Sequence, residues 1–139
     1  MKACLDTNIF IAVKNREKGY EHCEKILDAI DDGSLGGILS TIVIAEVLVG
    51  FYRNKEITEA KRFLNHVVCT YEIKDVNVEI ANIASRLRTE GLKLPDAIVV
   101  ATAKVAGASL VTKDEDICIK SKDIEVLVPE DFVSKYLEK

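Results

Sequence analysis

The stretch Lys2-Ala3-Cys4-Leu5-Asp6-Thr7-Asn8 decides the fold of this chain: a short apolar run that ends abruptly in a carboxylate, a hydroxyl and an amide. Apolar residues bounded by polar caps, too few for a helix, are the pattern of a central strand in a parallel sheet. The strand delivers Asp6 to the carboxyl edge, outside which open α/β sheets place their ligand crevice. Thr7 and Asn8 then start a helix. An acid after a strand also caps helices, so Asp6 gains weight from three more acids in similarly apolar settings.

Working outward, Ile9 to Val13 completes a short helix and Lys14 to Gly19 forms a charged loop. Tyr20, Cys23, Ile26, Leu27 and Ile30 fall at helical spacing, closed by Asp31-Asp32-Gly33. A second strand is expected over Gly36 to Ser40, and Ser40 or Thr41 caps a β-branched, apolar helix through Val49 whose single mid-helix charge is Glu46. A carboxylate in such company needs a donor or a cation; its plainer reading is an acid at the helix edge or a partner of Arg53. A helix carrying Ile57, Ala60, Phe63, Leu64 and Val67 follows, then a third strand over Val68 to Ile73, and a helix marked by Ile80, Ala81, Ala84 and Leu87 that Gly91 ends.

Leu94-Pro95-Asp96-Ala97-Ile98-Val99-Val100-Ala101-Thr102-Ala103 is the second informative stretch. Pro95 suits the first helical position and places Asp96 in the first turn, where an acid also favours the helix dipole by about 0.3–1 kcal/mol. Gly107 closes that helix. A fourth strand, Ala108 to Thr112, ends in Lys113, Asp114, Glu115 and Asp116, which otherwise read as a solvated charge run capping a short helix. Val126 to Val128 makes a fifth strand, and Pro129 opens a terminal helix with Phe132, Val133, Tyr136 and Leu137 inward. Strands alternating with helices indicate one domain over residues 1–139, a doubly wound parallel sheet with helices on both faces.

Composition agrees with a compact domain: 139 residues, 48% hydrophobic, with 7 Gly and 2 Pro. The net charge of −4 argues against a nucleic-acid binder, unless four of the 23 acids form a cation site. In that case 23 − 4 leaves 19 acids against 19 bases. The N-terminus does not read as a signal peptide, and the uncharged stretches around Ile42 and Val99 are shorter than a membrane span, so a cytoplasmic protein is expected. Cys4, Cys23, Cys69 and Cys118 show no metal-type pairing and read as small core residues. His22 and His66 sit on amphipathic helices and read as surface residues.

Topology brings the acids together. Asp6 and Asp114 follow strands directly, Glu46 lies on the first turns of a helix leaving the same edge, and the Pro95 helix must begin there to feed the strand at Ser109. Asp6, Glu46, Asp96 and Asp114 therefore share one rim. Clustered carboxylates repel and take up protons unless a cation joins them. All-oxygen ligands without nearby His or Cys suit Mg²⁺ or Mn²⁺ rather than zinc.

Asp6-Thr7-Asn8, the Ala45-Glu46 helix, Pro95-Asp96-Ala97 and the run from Leu110 to Asp116 resemble, in order and spacing, the successive motifs of the PIN domain. In size and motif order the chain is similar to the VapC-type toxin nucleases of prokaryotic toxin–antitoxin pairs, over essentially its whole length. The resemblance implies a three-layer α/β/α fold with a five-stranded parallel sheet in the order 3-2-1-4-5. It further implies Mg²⁺- or Mn²⁺-dependent endonucleolytic cleavage of single-stranded RNA, leaving a 5′-phosphate and a 3′-hydroxyl. Asp6, Asp96, Asp114 and Glu46 are then the catalytic metal-holding set, with Asn8 orienting Asp114, Thr112 supporting through its hydroxyl, and Asp116 replacing or supporting Asp114.

A homodimer and a cognate antitoxin protein are implied as partners. Lys14, Arg16, Lys18, Arg53, Lys55, Arg86, Arg88, Lys93 and Lys113 are candidates for phosphate contacts. Alternatives within the family are a ribosomal-RNA processing nuclease and an inactive PIN module. Outside it, a receiver-like phospho-signalling domain needs adjacent acids after the first strand, where Thr7 stands, and a phosphoacceptor Asp after the third, where Lys74-Asp75 stands. An aspartate-nucleophile phosphatase needs an acid where Asn8 stands.

Overall fold

The computed structural model describes residues 1–138. β1 (Lys2–Leu5) is buried from Ala3 to Leu5 and forms the centre of a five-stranded parallel sheet in the order β3-β2-β1-β4-β5. Its neighbours are β2 (Gly36–Ser40), with Ala3 beside Gly37, and β4 (Ser109–Val111), with Cys4 beside Leu110. β3 (Glu72–Lys74) and β5 (Val126–Leu127) are the edges, both short, as edge strands that avoid pairing with other chains tend to be.

α1 (Thr7–Asn15) and α2 (Tyr20–Asp31) connect β1 to β2, and α3 (Thr41–Arg53) and α4 (Ile57–Thr70) connect β2 to β3. α5 (Val78–Thr89) and α6 (Leu94–Ala106) then return the chain to β4, and α7 (Glu115–Lys120) leads to β5. Right-handed crossovers in opposite directions from the centre put these groups on opposite faces, the three-layer arrangement expected. α6 packs against β1, β2 and β4, which is why it is apolar from Ala97 to Ala103 except for the buried Thr102, whose hydroxyl donates to the Ile98 carbonyl. The core joins both faces through Leu5, Ile9, Ile26, Ile38, Leu39, Leu110 and Phe132.

Several boundaries differ from the sequence reading. α1 begins at Thr7 as expected, with Asp6 as its N-cap accepting from the Thr7 N–H, but it runs past Val13 to Asn15. Of the expected strand over Val68 to Ile73, Val68 to Thr70 continue α4 instead, and β3 begins only at Glu72. Ala60, Phe63, Val67 and Tyr71 form one inward stripe, and burial on that stripe outweighs the β propensity of Val67-Val68. The terminal helix is α8 (Pro129–Phe132), which continues as a π-helical turn over Val133–Leu137; Phe132 and Val133 are buried as expected.

Cys4 and Cys23 are core residues, and burial pushes their thiols up to about 12 and about 11 respectively. Cys69 is exposed and Cys118 half-buried, so the core reading fails for Cys69. His66 is exposed and bonded to Asp31 at 2.8 Å, whereas His22 is half-buried with its Nδ1 unpartnered, contrary to its reading as a surface residue. Among the described residues no helix is long and apolar enough to cross a membrane.

Candidate active site

The site grows out of the end of β1. The sheet ladder runs on through Asp6, whose N–H donates to the Val111 carbonyl at 3.0 Å, so the carboxylate leaves the sheet where β2 and β4 diverge. That is the switch point at which open α/β sheets bind ligands. Asp6 is 6% exposed. Its Oδ1 accepts from the Thr7 N–H at 2.8 Å, and its Oδ2 accepts from Thr112 Oγ1 at 2.8 Å and Asn8 Nδ2 at 3.3 Å.

The other acids arrive on separate elements. Ser40 caps α3 by accepting from the Ile42 N–H at 3.3 Å, which starts the helix at the carboxyl edge and brings Glu46 to the site. Thr7 Oγ1 donates to Glu46 Oε1 at 2.6 Å and so meets this exposed carboxylate, which among the described residues forms no ion pair with Arg53. Asp96 lies in the first turn of α6 without a hydrogen-bond partner among the described residues. Asp114 caps α7, its Oδ1 accepting from the Asp116 N–H at 2.9 Å. Asp6, Thr7, Asn8, Ile11, Glu17, Glu46, Asp96 and Asp114 line one open cleft of about 260 Å³.

Two residues depart from the roles that the resemblance implied. Asn8 bonds Asp6, Thr112 Oγ1 at 3.1 Å and the Lys113 N–H at 3.0 Å, and so positions the loop before Asp114 rather than the Asp114 carboxylate. Asp116 lies outside the cleft lining and pairs with Lys120 at 2.9 Å. Conversely, the cleft includes Glu17, which sequence reading left in a charged loop. α1 ends on Arg16 in the left-handed region at φ 49°, and the Glu17 N–H turns back to the Ala12 carbonyl at 2.9 Å. No local sequence signal announces this, because Arg is an uncommon left-handed cap.

The electrostatics follow from crowding. Burial first, then the charges of Glu46 and Asp114, hold the Asp6 carboxyl above the usual range, against its bonds from Thr112 and Thr7. Burial and the charges of Asp6, Asp114 and Glu46 raise Asp96 as well, against Lys93. A carboxylate offers about four lone-pair sites, so each acid keeps acceptor capacity after its internal bonds. Among the described residues no three acidic, His or Cys side chains close into a ready-made cage. An open all-oxygen set still fits Mg²⁺, which retains several waters and takes one or two carboxylates directly.

Fold and cleft together define an α/β domain with an acidic site at its topological switch. The family model described as the PIN domain matches residues 3–123, and the chain belongs to that family of nucleases. An uncharacterized protein of Archaeoglobus fulgidus is 52% identical over 62 residues, 45% of this chain and 98% of that one. Among solved structures, a toxin-antitoxin complex from Klebsiella pneumoniae is 30% identical with a TM-score of 0.72, covering 91% of this chain and 97% of its own. FitAcB from Neisseria gonorrhoeae shares the fold at a TM-score of 0.74 and 22% identity, covering 92% and 98%.

Proposed function

We propose that this chain is a divalent-cation-dependent endoribonuclease for single-stranded RNA, the toxin of a toxin–antitoxin pair acting in the cytoplasm. The observation that carries the reading is the meeting of Asp6, Glu46, Asp96 and Asp114, from four separate elements, in one cleft at the switch point. Mg²⁺ or Mn²⁺, when bound, would supply positive charge for the phosphate and lower the pKa of water so that hydroxide is available to attack it. Asp6, Asp96 and Asp114 would hold the cation, with Glu46 alongside.

Other parts of the chain serve that chemistry. Asn8 and Thr112 fix Asp6 and the backbone before Asp114, while Thr7 fixes Glu46. The cleft lining contains no Cys or His, so neither a thiol nucleophile nor an imidazole acid stands in it. Membership in a nuclease family supports hydrolysis of a phosphodiester, and the Klebsiella complex supports an antitoxin partner.

Cleavage of a labelled single-stranded RNA tests the reading. EDTA and Asp96→Asn should each abolish cleavage, while the double variant His22→Ala, His66→Ala should keep the native rate. The products should carry 5′-phosphate and 3′-hydroxyl ends. Metal-independent cleavage, or a cyclic 2′,3′-phosphate, would overturn the mechanism.

A further inference from the structure

Lys113 stands between two residues of the site, Thr112 and Asp114, and its N–H donates to Asn8 Oδ1 at 3.0 Å. Its place is therefore fixed to the same hydrogen-bond frame that fixes the acids. Its Nζ lies 2.9 Å from Glu17 Oε1, with the two side chains 28% and 40% exposed. Glu17 lines the acidic cleft and is held at both ends of its backbone: its N–H bonds the Ala12 carbonyl, and its own carbonyl accepts from the Tyr20 N–H at 2.9 Å. A cation built into the catalytic loop is thus kept at the cleft rim by an acid that belongs to the cleft.

A polyanionic strand approaching five carboxylates needs such a cation, since every phosphate beside the scissile one is repelled by the rim. Among the ion pairs of the described residues, that of Lys113 with Glu17 is the one whose acid lines the cleft. Lys14 pairs with Glu56 at 2.9 Å and lies over the Phe51 ring, Lys104 pairs with Asp123 at 3.1 Å, and Lys120 pairs with Asp116. A half-exposed ion pair contributes little net stability, and an ammonium binds phosphate as readily as carboxylate. The exchange of Glu17 for a phosphate therefore costs little.

Resting on the nuclease reading above, we infer that Lys113 binds an RNA phosphate next to the cleft, and that Glu17 is the internal carboxylate which that phosphate displaces. Glu17 then sets RNA affinity by competition. Lys113→Ala leaves the Asn8 bond intact, because that bond uses the backbone.

Fluorescence anisotropy with a short labelled single-stranded RNA, with Ca²⁺ in place of Mg²⁺ and across a NaCl series, reads the effect. Lys113→Ala should weaken binding about tenfold at low salt and make the log–log salt slope shallower by about 0.7, the value for one phosphate contact on a single strand. Lys113→Arg should restore both. Glu17→Gln should tighten binding by about twofold to fivefold, the range that an exposed ion pair spans. Unchanged affinity and slope in Lys113→Ala overturns the inference. So does weaker binding in Glu17→Gln, because a purely structural pair loses equally from either side. A native protein that binds no RNA at any salt instead overturns the nuclease reading itself.

Discussion

Thr112 Oγ1 has one proton and two lone pairs, and all are used: it donates to Asp6 and accepts from Asn8 Nδ2 and from the Asp114 N–H at 3.1 Å. One buried hydroxyl thus ties the acid of β1 to the loop that carries the acid of α7. Asp96 is the opposite case, raised by burial and by three neighbouring acids with no donor to offset them. A carboxyl held above its unfolded pKa takes up a proton more readily when folded. The contribution of Asp96 to stability is therefore fully present below the ordinary carboxylate value and is lost as pH rises through the raised one. Asp96→Asn should raise the metal-free melting temperature by about 2–4 °C at neutral pH, with the gain shrinking toward pH 4. Differential scanning calorimetry in EDTA checks this; a variant that melts lower at neutral pH would contradict the crowding argument.

At the scale of elements, the edge of the sheet beyond β4 is thin. β5 is a two-residue strand, too short to hold the C-terminal segment by its ladder alone. Glu125, just before it, accepts from Ser109 Oγ at 2.6 Å, from Tyr136 Oη at 2.7 Å and from Lys135 Nζ, and so ties the start of β4 to the terminal π-helical turn. Partial burial works against ionisation of Glu125, but these three donors outweigh it and bring its pKa down to about 2. The depressed value contributes stability above the unfolded pKa that is lost as pH falls through about 2. Glu125→Gln should cost about 1 kcal/mol at pH 7, discounted for exposure, and the gap to the native protein should narrow toward pH 3. Urea titrations at both pH values measure it, and an equal gap at both would exclude the ionic contribution.

At the scale of the whole molecule, α3 and α4 expose apolar side chains that the monomer does not cover: Val49 and Tyr52 on α3, and Ile57, Leu64 and Val68 on α4. Ile57, Leu64 and Val68 recur at helical spacing on one face, which flanks the buried stripe of Ala60 and Val67. A contiguous exposed apolar stripe marks an interaction surface, and a two-fold pair is the commonest way to cover one. The protein should therefore be a dimer by light scattering. The double variant Leu64→Glu, Val68→Glu should be a folded monomer, since neither side chain is in the core. A monomeric native protein, or a double variant that stays dimeric, would remove this face from the assembly.

The sequence by itself determined the sheet and its rim. Short apolar strands ending in Asp6 and Thr112, caps at Ser40, and Pro95 before Asp96 are local signals, and strand alternation with right-handed crossovers converts them into one shared edge without any knowledge of packing. Tertiary structure alone decided what the side chains do at that edge. Asn8 turned to Thr112 and Lys113, about a hundred residues away, and Glu17 entered the cleft through the left-handed cap at Arg16. The end of α4 was decided in the same way. Val68 reads as a strand residue by propensity, yet burial of Val67 and Tyr71 on the stripe of Ala60 and Phe63 kept the helix going to Thr70, and burial against a neighbouring element is invisible until the chain has folded.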